Sequence, residues 1–414
     1  MEGHVRKRGD KWYYSFEAAS IDGKRKRIER VGGRTKKEAE AALRKAKQNY
    51  ENTGLLFEPT EISVADYMDY WFDNYVRVNC KYNTRVGYKN IIKKHIKPSL
   101  GIYKLKSLTS AVLQEFINAK FTAGYSKPHL SNMKHVLTTA LQYAVHPCTF
   151  IITNPMDGVN LPKHKTHTAE PKTITGNTFS KLIERFPFGS DFYILIMIGY
   201  YVGCRISEGT ALTLDDADLE SGIIKIDKIL HIREGGIWCL ASPKNESSIR
   251  TVKIGKTLIN ALKQHRIWQI ENRLKYGQHY IQQYERVETI DGERILRIYS
   301  LPLSVKPDLD MKPVNFICTR ENGKVITSGS FKSCTAVFRN MGIDFNFHAL
   351  RHTHATTLIE HDAPIKDVQA RLGHARIETT LNTYTHATDK MAEKSVEIFE
   401  QAAASDSDDL PTKK

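Results

Sequence analysis

The sequence predicts a multidomain chain of three parts. A small α+β unit with a three-stranded sheet and one helix comes first, then an all-α bundle, then a larger, mainly α domain with a small antiparallel sheet. Three observations carry that expectation. Residues 1–50 hold fifteen Lys or Arg against seven Asp or Glu and an aromatic run beside a hairpin signal. Residues 63–145 read as amphipathic helices separated by short loops. After a break with four Pro at 146–172, helical text resumes and is interrupted by short strands. A chain of 414 residues suits two or three domains. The expected boundaries are 1–55, 62–150, a linker at 151–172, 173–400, and a polar tail at 404–414.

In the first part, Trp12-Tyr13-Tyr14-Ser15-Phe16 reads as a strand and Asp22-Gly23 as a hairpin turn leading into a strand over Lys24–Val31. Thr35-Lys36-Lys37-Glu38 is a capping box that opens a helix to about Tyr50, with Ala39, Ala42 and Leu43 on its inner face. A basic appendage that only solubilises is one reading. The other is a β-ribbon that lies in a DNA groove, with Lys24, Arg25, Lys26 and Arg27 meeting phosphates or bases.

Residues 51–61 form a linker, and Ser63–Asp66 starts the next helix, whose apolar stripe is Val64, Tyr67, Met68, Trp71 and Phe72. A second helix, Thr84 to His95, sets Val86, Tyr88, Ile91 and Ile92 against Arg85, Lys89, Lys93 and Lys94. Leu108–Lys120 and Ser126–Val145 complete a bundle. Its basic face is either merely solvated or a second nucleic-acid surface. The Pro- and Lys-containing stretch that follows reads as an extended linker, which suits a protein that wraps a duplex between two domains.

In the third part, helices over Thr178–Phe186 and Asp191–Tyr201 run into Gly203-Cys204-Arg205-Ile206-Ser207-Glu208. An Arg beside apolar helix is costly to bury unless paired, and Glu208 one turn on is the local partner. Strands over Ile223–Lys228, Ile229–Ile237 and Thr251–Ile254 follow, with Ser242–Ser248 as a polar turn that puts Lys244 at a hairpin tip. Two helices within Thr257–Tyr276 come next, and residues 277–312 fit no clear pattern. Glu321-Asn322-Gly323-Lys324 is a turn and Phe331–Met341 a helix; a last helix, Met391–Ala403, precedes the tail.

The stretch from His348 to His386 concentrates chemistry. His348 and Arg351 are three residues apart and share a helix face. Leu372-Gly373-His374 reads as a helix end capped by glycine, and Ile377, Thr380, Leu381 and Tyr384 belong to one short helix. Two imidazoles, a guanidinium and a phenol in reach of one another suit a phosphodiester: Arg binds its oxygens, His donates hydrogen bonds, and Tyr can attack phosphorus. A net charge of +15 and a pI near 9.3 favour a polyanionic partner. The N-terminus lacks a signal-peptide core, and the longest apolar run, Phe192–Val202, is too short to span a bilayer, so nucleic acid is preferred to a membrane. Six scattered Cys, without a CxxC pair, indicate neither a zinc site nor a disulfide framework and fit a reducing cytoplasm. No carboxylate cluster of the two-metal kind is evident, so neither metal nor cofactor is expected.

His348-Ala349-Leu350-Arg351-His352, Leu372-Gly373-His374 and Tyr384-Thr385-His386 resemble the C-terminal signature of the tyrosine recombinases, and Gly203–Glu208 resembles the segment around that family's first Arg. The interval from His374 to Tyr384 is one residue longer than in the commonest spelling and is similar to that of integrases from Gram-positive phages and conjugative transposons. The resemblance implies that Arg205, Lys244, His348, Arg351, His374 and Tyr384 are the catalytic set, with Tyr384 as nucleophile and Lys253 as a lesser rival of Lys244. It implies a 3′-phosphotyrosyl intermediate that is rejoined without ATP. It makes the first part an arm-site binder, the bundle a core-site binder, and the working form a homotetramer on double-stranded DNA; an excisionase and a host DNA-bending protein enter as accessory partners. The last helix would dock on its own or a neighbouring subunit. A type IB topoisomerase-like relaxing enzyme and a catalytically silent DNA-binding protein are the alternatives. The basic N-terminal sheet and last helix argue against the former, the complete residue set against the latter.

Overall fold

The computed structural model describes residues 3–21, 24–53, 62–163, 172–243, 245–290 and 292–384, with 393, 396 and 397. Asp22-Gly23, Lys244, Thr385, His386, most of the expected last helix and the tail lie outside these residues, as do the side chains of Lys24–Arg27 and Tyr384. The chain divides into two compact units, Met1–His167 and Thr168–Lys414.

In the first unit, β1 (Gly3–Arg8), β2 (Lys11–Ile21) and β3 (Lys24–Gly33) form an antiparallel sheet in the order β1-β2-β3. Helix α1 (Lys36–Thr53) covers it, packing Leu43 and Ala39 against Tyr14 and Phe16 of the central strand. The capping box closes from both sides. Glu38 donates its backbone N–H to Thr35 Oγ1 (3.3 Å), and its carboxylate accepts the backbone N–H groups of Thr35 (3.2 Å) and Arg34 (2.7 Å).

Four helices follow: α2 over 64–79, α3 over 82–100, α4 (Ser110–Thr122) and α5 (Lys127–Val145). Ser63 caps α2 by accepting the Asp66 N–H at 3.0 Å. The first two helices run longer than their apolar stripes predict, because each continues through a π-helical turn, Phe72–Val76 and Ile92–Ile96. Tyr67, Trp71, Ile96, Leu113, Met133 and Leu137 fill the core, and the Tyr67 hydroxyl donates to the Ala140 carbonyl. The expected linker at 151–172 needs correcting at its start. Phe150, Met156 and Val159 are buried in this same core, and Asn154 fixes their turn by accepting the Met156 N–H (3.0 Å) and donating to the Thr138 carbonyl (3.1 Å). Proline content marked a departure from helix, and three apolar side chains then found the bundle.

The second unit builds its core around α7 (Tyr193–Val202), apolar on every side, after α6 (Gly176–Arg185). The short α8 (Ile206–Gly209) follows it. Strands β4 (Ala217–Asp218), β5 (Ile223–Ile226) and β8 (Arg250–Lys253) make one antiparallel sheet in that order. A second sheet has the order β11-β9-β10-β7-β6, from β6 (Ile229–Arg233), β7 (Ile237–Ala241), β9 (Ile281–Ile290), β10 (Glu293–Pro302) and β11 (Lys312–Val314). The three expected strands are therefore four, in two sheets. Gly235 and Gly236, both at positive φ, turn β6 back on β7, and the stretch carrying Lys244 crosses from one sheet to the other. It is not the tip of a hairpin. The unassigned 277–312 region contains a hairpin with Glu293 opposite Ile290 and Gly292 at φ +77° between the strands. One continuous helix, α9 (Lys256–Tyr276), replaces the two expected. Helices α10 (Phe331–Asn340), α11 (Phe347–Glu360), α12 (Ile365–Leu372) and α13 (Ile377–Tyr384) complete the unit. Among the described residues no helix is long and apolar enough to cross a membrane, and all six Cys are free thiols.

Candidate active site

The site is assembled by helix ends. Gly203 stops α7 at φ +70°, a left-handed conformation that costs glycine little, and leaves its carbonyl to accept Arg351 Nη1 at 2.8 Å. Arg205 then caps α8. Its Nη1 donates to Glu208 Oε1 at 2.7 Å and its backbone N–H to Glu208 Oε2 at 2.9 Å. The local pairing expected for Arg205 is thus present, yet it does not consume the guanidinium: the Arg205 side chain is 37% exposed, that of Glu208 only 1%. Arg250 Nη2 donates to Glu208 Oε2 at 2.9 Å, so one carboxylate serves two cations and net positive charge remains. Burial alone would raise the Glu208 pKa. Arg250 foremost, then the backbone and side chain of Arg205, overcome that and hold it below the ordinary value.

Asn346 caps α11 by accepting the Ala349 N–H at 3.1 Å, and the next turns carry His348 and Arg351. Arg351 is 1% exposed. Its Nη2 donates to the Leu372 carbonyl at 2.7 Å and meets His374 Nε2 at 2.9 Å. Since a guanidinium can only donate, Nε2 of His374 must carry the lone pair and Nδ1 the hydrogen. Nδ1 lies 2.9 Å from Thr380 Oγ1, fully buried on α13. One neutral imidazole therefore bridges Arg351 to the helix that carries Tyr384, whose position is one turn beyond Thr380.

The histidines are kept uncharged. Burial, followed by Arg351, Arg205, Arg250 and His348, lowers the His374 pKa to about 4. Burial, then Arg351 and Arg205, lowers that of His348, whose ring meets His352 edge-to-face at 4.6 Å. Arginines facing neutral imidazoles, with a single shared carboxylate, form a ready anion site: an entering phosphate gains the cations without first displacing a proton.

Of the expected catalytic residues, Arg205, His348, Arg351 and His374 converge; position 384 ends the adjoining helix, and Lys244 lies outside the described residues in the β7–β8 connection. Lys253 occupies an outward position on β8. His354 is structural: it donates Nδ1 to the Tyr200 carbonyl (2.9 Å) and accepts Arg371 Nε (2.8 Å). Arg250, Arg371 and Thr380 were not anticipated. A signal existed for Arg250, since in Arg250–Lys253 it alternates inward with Val252 while Thr251 and Lys253 point out. Of the expected DNA contacts in the bundle, Arg85 is half-buried and Lys89, Lys93 and Lys94 are exposed on α3, opposite Ile91, Ile92 and Ile96.

Comparison with known proteins agrees with this geometry. Residues 4–50 match an arm DNA-binding domain and 63–121 the SAM-like N-terminal domain of phage integrases. The chain is 29% identical to a XerC-like tyrosine recombinase of Caldanaerobacter subterraneus subsp. tengcongensis, over 89% of this chain and 90% of that one. In fold it is similar to the Tn1549 transposon integrase in complex with a circular intermediate DNA, with a TM-score of 0.62 and 22% identity over 82% of this chain and 100% of that one. It is similar also to a lambda integrase tetramer bound to a Holliday junction, with a TM-score of 0.53 and 14% identity over 94% of this chain and 96% of that one. Residues 177–391, just over half of the sequence and containing every residue of the convergent cluster, match the phage integrase family; the chain belongs to that family and is a tyrosine recombinase.

Proposed function

We propose that this protein is a site-specific integrase that inserts and excises a mobile element by cutting and rejoining DNA. The observation that carries the assignment is the bridge from Arg351 through His374 to Thr380 on the helix of Tyr384. Arg205 and Arg351 would bind the non-bridging oxygens of the scissile phosphate and neutralise charge that grows in the pentavalent transition state. His348 would hydrogen-bond the same group or take the Tyr384 proton, whereas His374, whose Nε2 accepts from Arg351 and whose Nδ1–H is held by Thr380, would keep Arg351 and the helix of Tyr384 in place. The Tyr384 oxygen bonds to phosphorus as the 5′-oxygen leaves with a proton from Lys244, giving a 3′-phosphotyrosyl ester and a free 5′-hydroxyl. Because the ester keeps a phosphodiester's energy, the reverse attack by another strand's 5′-hydroxyl needs no ATP.

The sheet over 3–33 would read arm-type sites through Lys24, Arg25, Lys26 and Arg27, and the bundle core sites through Arg85, Lys89, Lys93 and Lys94. The transposon integrase on circular intermediate DNA and the lambda tetramer on a Holliday junction support a DNA-bound homotetramer acting on mobile DNA. The place of work is the bacterial cytoplasm, with an excisionase and a host DNA-bending protein as accessory partners. The test is to map the nick on a candidate attachment sequence and trap the covalent adduct. A 3′ adduct at Tyr384, absent from Tyr384→Phe while DNA binding persists, is expected. Adducts that persist in that variant would refute the assignment, and relaxation of one supercoiled circle without recombination of two-site plasmids would favour the topoisomerase alternative.

A further inference from the structure

Two arginines outside the catalytic set clasp two segments of the site to each other. Arg250, on β8, donates Nε to the carbonyl of Arg371 at 2.7 Å; Arg371, near the end of α12, donates Nη1 to the carbonyl of Lys253 on β8 at 2.9 Å. Each then reaches further. Arg250 Nη1 holds the Ser248 carbonyl at 2.9 Å and Nη2 holds Glu208 at 2.9 Å, while Arg371 Nη2 donates to the Tyr201 carbonyl at 3.1 Å. Arg250 is buried and Arg371 half-buried.

The segments are as close as backbone allows. A Cβ at Gly373 would stand 3.0 Å from the Ser247 carbonyl oxygen and 3.1 Å from Arg250 Cδ, and the residue sits at φ +67°. The position before His374 therefore needs glycine twice over, for its conformation and for the contact with the β7–β8 connection. That connection is the one that carries Lys244.

We propose that Arg250 is a positioning residue for strand cleavage: it orients Glu208, and through it Arg205, while fastening β8 to the backbone that presents His374. This rests on the role of Arg205 given above. The charge arithmetic gives the reason. Glu208 paired with Arg205 alone would cancel the charge that Arg205 offers to a phosphate. Shared with Arg250, the carboxylate leaves one positive charge in the group, and its orientation is set from two sides. A Lys at 250 keeps the charge but cannot reach three acceptors in three directions, as the fork of an Arg does.

The experiment is single-turnover cleavage of a nicked core-site duplex by the full chain, as Arg250→Lys, Arg205→Ala and the pair combined. Arg250→Lys should cleave about 100-fold more slowly, the scale of a misplaced catalytic group, with affinity for the duplex within about twofold. Because Arg250 acts through Arg205, the double variant should be no more than about threefold slower than Arg205→Ala alone. A protein merely weakened by a buried substitution would show multiplied losses instead, and multiplied losses overturn the proposal, as does a full rate in Arg250→Lys. Should Arg250→Lys fail to fold, Glu208→Gln keeps the shape at the hub and must give the same non-multiplying pattern with Arg205→Ala; losses that multiply there also overturn it. A full rate in Arg205→Ala alone would overturn the Arg205 assignment and the proposal together, which sets that outcome apart from failure of the proposal by itself.

Discussion

Thr380→Val isolates the bond between His374 and the helix of the nucleophile. Valine keeps the volume and branching of threonine and removes only the hydroxyl. The native partner, His374 Nδ1–H at 2.9 Å, cannot escape by changing tautomer, because Nε2 faces an Arg351 nitrogen that can only donate. The variant therefore leaves a donor without an acceptor beside a fully buried position. Such an orphan costs about 1–3 kcal/mol. At about 1.36 kcal/mol per tenfold in rate, that corresponds to about 5- to 150-fold slower cleavage if the penalty falls on the transition state. The assay is single-turnover formation of the Tyr384 adduct on a nicked core-site duplex, with duplex affinity and Tm measured beside it. Affinity should hold, since phosphate contacts elsewhere carry it. A cleavage rate within about twofold of the parent, in a protein of unchanged Tm, would refute the idea that Thr380 fixes His374.

Arg205→Ala and Arg351→Ala should both slow cleavage by a factor corresponding to about 2.7–4 kcal/mol, the scale of one lost oxyanion donor. Only Arg351→Ala should also lower Tm markedly, because it orphans the carbonyls of Gly203 and Leu372 at about 1–3 kcal/mol each; equal Tm values would contradict that. Lys244→Ala should be rescued by a 5′-phosphorothiolate substrate, whose leaving group needs no proton, and failure of the rescue would move the general acid to Lys253. Stability should fall with acidity. His265, His352, His354 and His374 are lowered to about 4 by burial above all, so between their unfolded value near 6.5 and about 4 the unfolded chain binds more protons. Tm should therefore decline as pH drops through that window and be level above it, and a flat profile from pH 7 to 4 would contradict neutral buried imidazoles. A fragment starting at Glu58 should still form the Tyr384 adduct on a core-site duplex but lose a second class of flanking sites and most integration on long DNA; footprints identical to those of the full chain would remove the arm-binding role.

What the sequence determined by itself is what neighbours along the chain decide. The capping box at Thr35–Glu38, the helix start at Ser63–Asp66, the one-turn spacing of His348 and Arg351, and the glycine that ends a helix before His374 follow from a few adjacent residues, and the structure has each of them. Gly235 and Gly236 read as strand, within Ile229–Ile237, because the partners of the flanking strands are far away along the chain and a strand has no meaning without its partner. Pairing of β7 with β10, from Leu296 opposite Leu240, spans more chain than any turn signal covers, so only the tertiary structure could send β7 and β8 into different sheets and deny Lys244 a hairpin tip. The same holds for Phe150, Met156 and Val159, whose apolarity gained a place only when the bundle offered one. Arg250 and Arg371 make the point for the site. As sequence they are two basic residues in a basic chain, and their roles come from carbonyls at Arg371 and Lys253 that lie across the fold. Burial selects an arginine for such a task because a desolvated guanidinium must find an acceptor for each of its donors, and which acceptors are at hand is set by packing, not by order along the chain.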